Sequence, residues 1–236
     1  MLNAEKQFSS LDSGRIEKFE RLSELLRQEN QVHNLTRIID PDEIRLRHFC
    51  DSLAVVGLIL AGGDNPGASI IDIGSGAGFP GIALAIAMPE IEVTSVEATG
   101  KKVNFQKKAA AELGLDNFTP IHARAEELGK IGDYRGKYDF AVSRAVADLA
   151  VLCELCLPFV KPGGYFFAWK GKKAADEIEN AESAVEILGG EIIDQTEYTL
   201  NESDKETGLR IITIKKIAHT PPKYPRKYKA IKLKPL

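Results

Sequence analysis

Short apolar runs rich in β-branched residues alternate with helical segments from residue 69 onward, and no other feature constrains the fold as strongly. Strands are predicted at 69–73, 92–97, 118–122, 138–143 and 165–169, and helices at 81–87, 101–113, 149–160 and 174–188. A sharp turn is predicted at KPGG (161–164), and a closing antiparallel pair at 191–200 and 208–217, around the polar turn NESDKETG. Strand–helix alternation predicts an α/β fold with a mostly parallel sheet that helices cover on both faces.

The segment before this alternation predicts helices. Residues 15–29 carry apolar side chains at helical spacing between charges. Asp40 followed by Pro41 has the pattern of an N-cap and a first-turn proline, so a second helix is predicted over 41–60. The GGDNPGA stretch (62–68) marks a boundary. We therefore expect three parts, a helical cap over 1–66, a sheet domain over 67–217 and a basic tail over 218–236.

The composition is that of a globular chain. Of its 236 residues, 44% are hydrophobic and 28% are charged, which excludes extensive disorder. No apolar run reaches the roughly 18–20 residues of a membrane span. The N-terminal MLNAEKQFSS lacks the apolar core of a signal peptide. Three cysteines, Cys50, Cys153 and Cys156, are too few and odd in number for a disulfide framework. We therefore expect a cytoplasmic protein without a membrane partner.

Charge is distributed unevenly along the chain. The net charge is −3, but residues 215–236 hold eight Lys and Arg and no acidic residue, which leaves −11 on residues 1–214. A basic tail on an acidic body indicates either that the tail binds a polyanionic partner, or that it is solvated and only aids solubility. Charge alone leaves both interpretations open.

A glycine-rich loop, DIGSGAGFPG (72–81), lies between the first strand and the first helix of the alternation. Glycines there allow a sharp turn and the close approach of a ligand at the carboxyl ends of the strands. Glu97 ends the next strand, where an acid can accept hydrogen bonds from a ribose diol. The loop therefore predicts a site for an adenosine-type ligand.

Two such ligands compete for this loop. Gly76-x-Gly78-x-x-Gly81 matches the dinucleotide fingerprint. However, a carboxylate at Asp72 would repel a pyrophosphate, whereas it suits the ammonium and sulfonium groups of S-adenosylmethionine. Pro80 also removes a backbone N–H that a pyrophosphate would use. The residues therefore favour S-adenosylmethionine.

Further motifs follow the loop in a specific order. They are VEATGKKVNF, HARAEEL, YDFAVSRAVADL and LPFVKPGG, with NLT (34–36) and H-x-x-D-S-L (48–53) upstream. In this order the sequence resembles, over nearly its whole length, the bacterial small-subunit ribosomal RNA methyltransferase G family, also called the glucose-inhibited division protein B type. The resemblance implies a class I S-adenosylmethionine-dependent methyltransferase, with a Rossmann-like, mostly parallel seven-stranded sheet and an N-terminal helical extension. It also implies N7-methylation of a guanine in small-subunit (16S) ribosomal RNA.

The loop and the resemblance together give a set of candidate cofactor-binding residues. Matching positions place Gly74 and Phe79 along the cofactor and residues 97–99 at its ribose and adenine. They place residues 125–126 at the adenine edge and Arg144 beside the methyl-donor end. The full set is Asp72, Gly74, Gly76, Gly78, Phe79, Glu97, Ala98, Thr99, Ala125, Glu126 and Arg144.

The implied reaction needs no general base, because guanine N7 already carries an exposed lone pair. The enzyme has to align that nitrogen with the sulfonium methyl and exclude water. The sequence contains no Asn/Asp-Pro-Pro-aromatic motif for an exocyclic amine, and no Pro-Cys or Thr-Cys loop for attack on a pyrimidine. No catalytic acid or base is therefore assigned.

Basic residues near strand ends and in the tail are candidates for RNA contact, namely Arg124, Arg144, Lys170, Arg210, Lys223, Arg226 and Lys227. The RNA interpretation is favoured for Arg144 and Lys170, whereas a surface salt bridge is an equal alternative for Arg124 and Arg210. The tail keeps the family's terminal Lys-Pro-Leu but lacks a glycine after Arg226. The lysines at 101, 102, 107 and 108 predict a solvated helix face.

Other patterns favour structural roles. Cys153-x-x-Cys156 lies in an apolar helix and lacks a second ligand pair, so buried thiols are expected and no metal. His48 and Asp51, one turn apart, suit packing or an RNA-facing role, and Trp169 suits the sheet core or stacking on a base.

Three other functions stay open at this point. They are a methyltransferase of this fold acting on another RNA, a small molecule or a protein, a nicotinamide oxidoreductase, and an RNA-binding module without activity. The favoured partner is small-subunit ribosomal RNA or its particle, with the protein acting as a monomer.

Overall fold

The computed structural model describes residues 2–61, 67–144, 147–202 and 208–236. The strands are β1 (Leu2–Asn3), β2 (Ser69–Ile73), β3 (Glu92–Glu97), β4 (Phe118–His122), β5 (Tyr138–Arg144), β6 (Val160–Lys170), β7 (Gly190–Thr199) and β8 (Leu209–Lys216). The α-helices are α1 (Ala4–Ser9), α2 (Ser13–His33), α3 (Pro41–Ile44), α4 (Asp51–Leu53), α5 (Val56–Ala61), α6 (Gly81–Ala87), α7 (Gly100–Leu113), α8 (Ala125–Leu128), α9 (Leu149–Cys156), α10 (Ala174–Ile187) and α11 (Tyr228–Leu233). Residues 62–66 of the predicted boundary and 203–207 of the predicted turn lie outside the described residues.

The described strands form one sheet in the order β1-β7-β8-β6-β5-β2-β3-β4. Strands β2 to β6 pair in parallel with one another, while β8 runs antiparallel to both β6 and β7. This confirms the predicted α/β fold with a mostly parallel sheet. The resemblance implied seven strands, and the eighth is β1, which pairs in parallel with Tyr198 and Thr199 of β7. A strand of only two residues shows no sequence periodicity, so β1 could not be predicted.

Helices cover both faces of the sheet. On one face, the N-terminal helices pack with α6 and α7 around buried side chains such as Phe19, Leu22 and Phe105. On the other face, α9 and α10 pack over a second apolar core that includes Phe159 and Phe166. Among the described residues, no helix combines the length and the apolar character needed to cross a membrane. The carboxyl ends of β2, β3 and β5 open together at one edge, between these layers.

Two boundaries near the start of β6 differ from prediction. The helix predicted over 149–160 ends at Cys156, and the turn predicted at 161–164 belongs to β6. Gly163 has a φ of 92°, and the pairing with β5 shifts register between Tyr138 and Phe140. The KPGG sequence therefore forms an irregular stretch of strand, a role that glycine in a strand often has.

The helix predicted over 41–60 is interrupted. It begins as expected after Asp40, whose carboxylate accepts the backbone N–H of two first-turn residues at 3.0 Å each. Residues Arg45–Cys50 then form a π-helical turn before α4 and α5. The extra residue of a π-turn is invisible to a search for a 3.6-residue period, and such turns are common at functional sites. The π-helical turn contains His48, and Asp51 follows it as the first residue of α4.

The tail packs on the body of the protein. Tyr224 and Ile231 are buried, and the Arg135 guanidinium donates to the backbone carbonyls of Thr220 and Tyr224 at 2.8 Å each. Five of its lysines remain exposed, at Lys223, Lys227, Lys229, Lys232 and Lys234. The tail thus presents a basic surface on a fixed backbone.

Candidate active site

The loop between β2 and α6 crosses the carboxyl ends of the strands. Gly74, Gly76 and Gly78 have φ angles of 74°, 61° and 100°, a region that residues with a Cβ rarely adopt. The Gly74 N–H donates to the Val96 carbonyl of β3 at 2.9 Å, which fixes the loop on the sheet. The loop backbone is therefore both rigid and free of side chains at three positions.

Glu97 at the end of β3 braces this loop. One carboxylate oxygen accepts the Gly76 N–H at 2.9 Å, and the other accepts the Thr99 N–H at 2.8 Å. Glu97 is buried, with 7% of its surface exposed to solvent. Each carboxylate oxygen has a further lone pair, so Glu97 can brace the loop and still accept a ligand hydroxyl.

Asp72 lies behind the loop and is not among the residues that line the cavity beside it. It is fully buried, and its Oδ2 accepts the Gly81 N–H at the start of α6 at 2.8 Å. Within the described residues, Oδ1 has no hydrogen-bond partner. Burial raises the pKa of Asp72 to about 7, against the Gly81 hydrogen bond and the Arg144 charge, which lower it. In the structure Asp72 holds the turn through the Gly81 N–H, and its contact with the ligand's cationic groups stays a prediction.

The buried carboxyl of Asp72 predicts a pH-dependent stability. Its pKa is higher in the folded chain, about 7, than the ordinary 3.8, so the folded state takes up a proton between these pH values. The free energy of unfolding should therefore fall as the pH rises through this window and level off above it. Asp72→Asn carries no charge and should gain roughly 2–4 kcal/mol relative to wild type between the two ends of the window. Urea unfolding of both proteins at pH 5 and pH 8 measures this gain, and an unchanged difference would refute it.

A cavity of about 450 Å³ opens in front of the loop. Three parts of the chain line it: the glycine loop, the N-terminal segment, and residues at or next to the ends of β5, β7, β8 and α7. The lining residues are Leu35, Thr36, Ile38, Arg47, His48, Asp51, Gly74, Ser75, Gly76, Ala77, Phe79, Lys102, Arg144, Leu200 and Leu209. Its size falls within the usual range of small-molecule sites.

Arg144 joins the end of β5 to the N-terminal segment across this cavity. Its Nη1 donates to Asp51 Oδ2 at 2.6 Å, and its Nη2 lies 3.4 Å from His48 Nδ1. The His48 ring stacks in parallel on Phe79, with ring centroids 4.7 Å apart. The guanidinium carbon lies 5.8 Å from the centre of the Phe79 ring. Arg144 and Phe79, both predicted from the sequence, are thus brought together with His48 of the π-helical turn and Asp51 at the start of α4.

Several lining residues were not among the predicted ligand contacts. Lys102 was expected on a solvated face, yet it lines the cavity, and its Nζ would lie 4.0 Å from a Cβ placed on Gly76. Thr36 lies within the predicted NLT motif, and its Oγ1 is 3.0 Å from His48 Nε2. The family motifs in the sequence were the only indication that Thr36 and His48 lie at the site. Nothing in the sequence distinguishes Lys102 from the lysines around it.

The remaining predicted cofactor residues lie near the ends of β3 and β4. Thr99 precedes α7 and donates its N–H to Glu97, while the Ala98 carbonyl is 3.0 Å from His122 Nε2. Ala125 and Glu126 lie in α8, where Glu126 is buried. None of these four positions lines the cavity described above.

The RNA-contact candidates occupy different environments. Lys170 is buried and pairs with Glu177 at 2.6 Å, and the half-buried Arg210 side chain pairs with Glu197 at 2.5 Å. Arg226 forms an ion pair with Glu154 at 2.6 Å. Arg124 is exposed, and so are Lys223 and Lys227 of the tail. Only Arg144 of this group lines the cavity.

Cys153 and Cys156 lie in the apolar interior, as predicted, and Cys50 is buried as well. Cys50, Cys153 and Cys156 are each 0% exposed. Burial raises the pKa of the Cys50 and Cys153 thiols to about 12 each. No group of His, Cys, Asp and Glu suited to a metal ion occurs in the described ranges.

Sequence comparison relates the chain to one family. The profile of the family described as rRNA small subunit methyltransferase G matches residues 15–204. A protein of Acetivibrio thermocellus named Ribosomal RNA small subunit methyltransferase G is 45% identical over 92% of this chain and 87% of its own length. A Lactobacillus acidophilus protein of the same name is 41% identical over 100% of this chain and 97% of its own.

Solved structures are similar in fold. A SAM dependent methyltransferase from Aquifex aeolicus superposes with a TM-score of 0.54 at 18% identity, covering 79% of this chain and 97% of its own. A fibrillarin pre-rRNA processing protein from Methanococcus jannaschii gives a TM-score of 0.51 at 17% identity, covering 66% and 69%. At these identities the likeness concerns the fold alone.

Proposed function

Because the chain belongs to the rRNA small subunit methyltransferase G family, we propose that it transfers a methyl group from S-adenosylmethionine to N7 of a guanine in 16S ribosomal RNA. The observation that carries this proposal is the glycine loop braced by Glu97 at the carboxyl ends of two adjacent strands. It lies beside a cavity that the N-terminal segment completes. The relatives' names support ribosomal RNA as the substrate class.

The residues of the loop fit S-adenosylmethionine. Three glycines without Cβ atoms leave the backbone open to close approach, and Glu97 keeps lone pairs for ribose hydroxyls. The methionine part of S-adenosylmethionine carries a carboxylate, and the Lys102 ammonium near Gly76 is a cation that can pair with it. When bound, the cofactor supplies an electrophilic methyl on a sulfonium.

The chain's own contribution to the reaction is alignment. Guanine N7 needs no proton removed, so no residue is required as a general base. Arg144, His48 and Phe79 form part of the cavity wall, where they can fix a base and exclude water. An RNA base reaches such a site only when it is unstacked, so we propose that the target guanine lies in a loop or is extruded.

The wider proposals concern organisation and partners. We propose a helical cap over 1–66, a methyltransferase domain over 67–217 and a tail over 218–236 whose exposed lysines contact RNA phosphates. The ion pair between Asp51 of the cap and Arg144 supports a cap that completes the site. The partner is small-subunit ribosomal RNA or its particle, and the protein acts as a monomer in the cytoplasm.

Two assays test the cofactor and the substrate class. Titration calorimetry should detect binding of S-adenosylmethionine and S-adenosylhomocysteine and none of NAD. Label from methyl-labelled S-adenosylmethionine should then enter small-subunit RNA, as naked RNA or as particles, and not large-subunit RNA. Binding of NAD alone, or label confined to large-subunit RNA, would contradict the proposal.

The Glu97→Gln substitution should weaken cofactor binding. The amide nitrogen of Gln must face either the Gly76 or the Thr99 N–H, so two donors meet and the loop loses one brace. We expect the Kd for S-adenosylmethionine to rise by about 10- to 100-fold. Glu92→Gln at the exposed start of the same strand is the matched control and should leave the Kd unchanged. Equal effects of both substitutions would show that Glu97 has no special role.

A further inference from the structure

Asp51 fixes Arg144 in a single orientation. Its Oδ2 accepts Arg144 Nη1 at 2.6 Å, and its Oδ1 accepts the Tyr198 hydroxyl of β7 at 2.5 Å. The Asp51 backbone carbonyl also accepts Trp169 Nε1 at 2.9 Å. Arg144 Nη1 donates its second hydrogen to the Arg47 carbonyl at 2.8 Å. Both hydrogens of Nη1 are therefore used within the protein, by Arg47 and Asp51, while Tyr198 of β7 and Trp169 of β6 hold Asp51 in place.

His48 supplies the next contact of the same guanidinium. A guanidinium can only donate, so the His48 Nδ1 facing Arg144 must be the unprotonated nitrogen. The proton then lies on Nε2, which is 3.0 Å from Thr36 Oγ1. Burial, with a further contribution from the Arg144 charge, lowers the pKa of His48 to about 3. The ring is therefore neutral at physiological pH, with a defined tautomer.

The cavity wall thus combines an aromatic surface with a fixed donor. Phe79 covers one face of the His48 ring, at an interplanar angle of 2°, while the half-buried ring remains part of the cavity wall. In the part of the chain that the structure describes, no acceptor is assigned to Arg144 Nε or to the second hydrogen of Nη2. A neutral imidazole and a guanidinium with spare donors are suited to a planar ligand with an acceptor on its edge.

Guanine and adenine differ at the edge that such a donor would meet. Beside N7, guanine carries the O6 acceptor, whereas adenine carries an amino donor. N7 itself has to remain free for methyl transfer, so the base has to be held through another atom. Resting on the proposed function, we propose that Arg144 donates to O6 of the target guanine while the base stacks on the His48 ring, and that Asp51 and Tyr198 are positioning residues that aim Arg144.

A cycle of protein and RNA changes tests the contact with O6. The guanine methylated by the wild-type protein is first mapped and then replaced in a synthetic RNA by 2-aminopurine, which keeps N7 and lacks O6. Arg144→Ala should lower kcat/KM by about 30-fold on guanine RNA and by less than about 3-fold on 2-aminopurine RNA. Arg21→Lys, which alters an exposed ion pair on α2, is the control and should leave both values unchanged.

The positioning residues act through Arg144, so their effects should vanish without it. Tyr198→Phe and Asp51→Asn should each lower kcat/KM on guanine RNA by about 5- to 30-fold. In the Arg144→Ala background neither should lower it further. Tyr198 does not line the cavity, so Tyr198→Phe should change the calorimetric affinity for S-adenosylmethionine by less than about 3-fold, which confirms an intact fold and cofactor site in that variant.

The outcomes separate this inference from the proposed function. Equal losses on both RNAs with Arg144→Ala would overturn the contact with O6, as would a collapse of cofactor affinity in Arg144→Lys, which keeps the charge. Additive losses for Tyr198→Phe and Arg144→Ala would overturn the positioning role. Failure of the wild-type protein to methylate guanine RNA would instead refute the proposed function.

Discussion

Gly78→Ala is expected to abolish cofactor binding at the glycine loop. Gly78 has a φ of 100°, which any residue with a Cβ adopts only under strain. A Cβ there would lie 2.8 Å from Ile82 Cγ1 and 3.3 Å from Gln106 Cγ. Both neighbours are 0% exposed, so displacing either of them disturbs the packed interior. The loop must therefore shift, and the Kd for S-adenosylmethionine should rise by at least about 100-fold, with about 3 kcal/mol of stability lost.

Gly114→Ala is a control that introduces the backbone strain of a positive φ without the steric clash expected in Gly78→Ala. Gly114 caps α7 with a φ of 59°, but a Cβ there would meet nothing within 4 Å. This variant should lose about 1 kcal/mol of stability and bind the cofactor like wild type. Calorimetry and thermal unfolding of both variants measure the two effects. Unchanged cofactor affinity in Gly78→Ala would mean that the ligand binds elsewhere.

Arg226→Ala should release the tail and destabilise the protein. Glu154 is 0% exposed, and its carboxylate accepts the Arg226 backbone N–H at 2.7 Å and the guanidinium Nη2 at 2.6 Å. Removal of the guanidinium leaves a buried carboxylate without its counter-ion, which typically costs about 3–5 kcal/mol. We expect a loss of that order in urea unfolding, together with faster proteolysis of the tail.

A double substitution tests the cause of that loss. Glu154→Leu combined with Arg226→Met removes both charges and keeps similar volumes, so most of the lost stability should return. Lys229→Ala, in the exposed part of the tail, should change stability by less than about 0.5 kcal/mol. If the double variant were as unstable as Arg226→Ala, the buried charge would not be the cause.

The sheet was predictable because each parallel strand is a short apolar run between helices with their own spacing. The glycine loop was predictable for a related reason, since a strand, three glycines and a helix leave few backbone solutions. The sequence also placed Glu97 at the end of β3, where the structure has it. It could not show that Glu97 braces the loop, because that depends on the pairing of β2 with β3.

The contacts that link distant segments were beyond sequence reasoning. Arg226 looked like an RNA ligand of a basic tail, and only the fold brings it to Glu154, 72 residues earlier. Lys102 looked solvated because its neighbours are lysines too, yet it turns toward Gly76. The place of Asp72 depended on which side of β2 carries the side chain. A carboxylate two residues before Gly74 can point toward the ligand or toward α6. Here it accepts the backbone N–H of Gly81, the first residue of α6.

The position of the transferred methyl group tests the central proposal most directly. The purified protein would be incubated with small-subunit ribosomal RNA and S-adenosylmethionine carrying a deuterated methyl group. The RNA would then be digested to nucleosides and analysed by chromatography and mass spectrometry. We predict the label in 7-methylguanosine at a single site, lost in Gly78→Ala and kept in Gly114→Ala. Label in another nucleoside, or none in any RNA despite cofactor binding, would contradict the account.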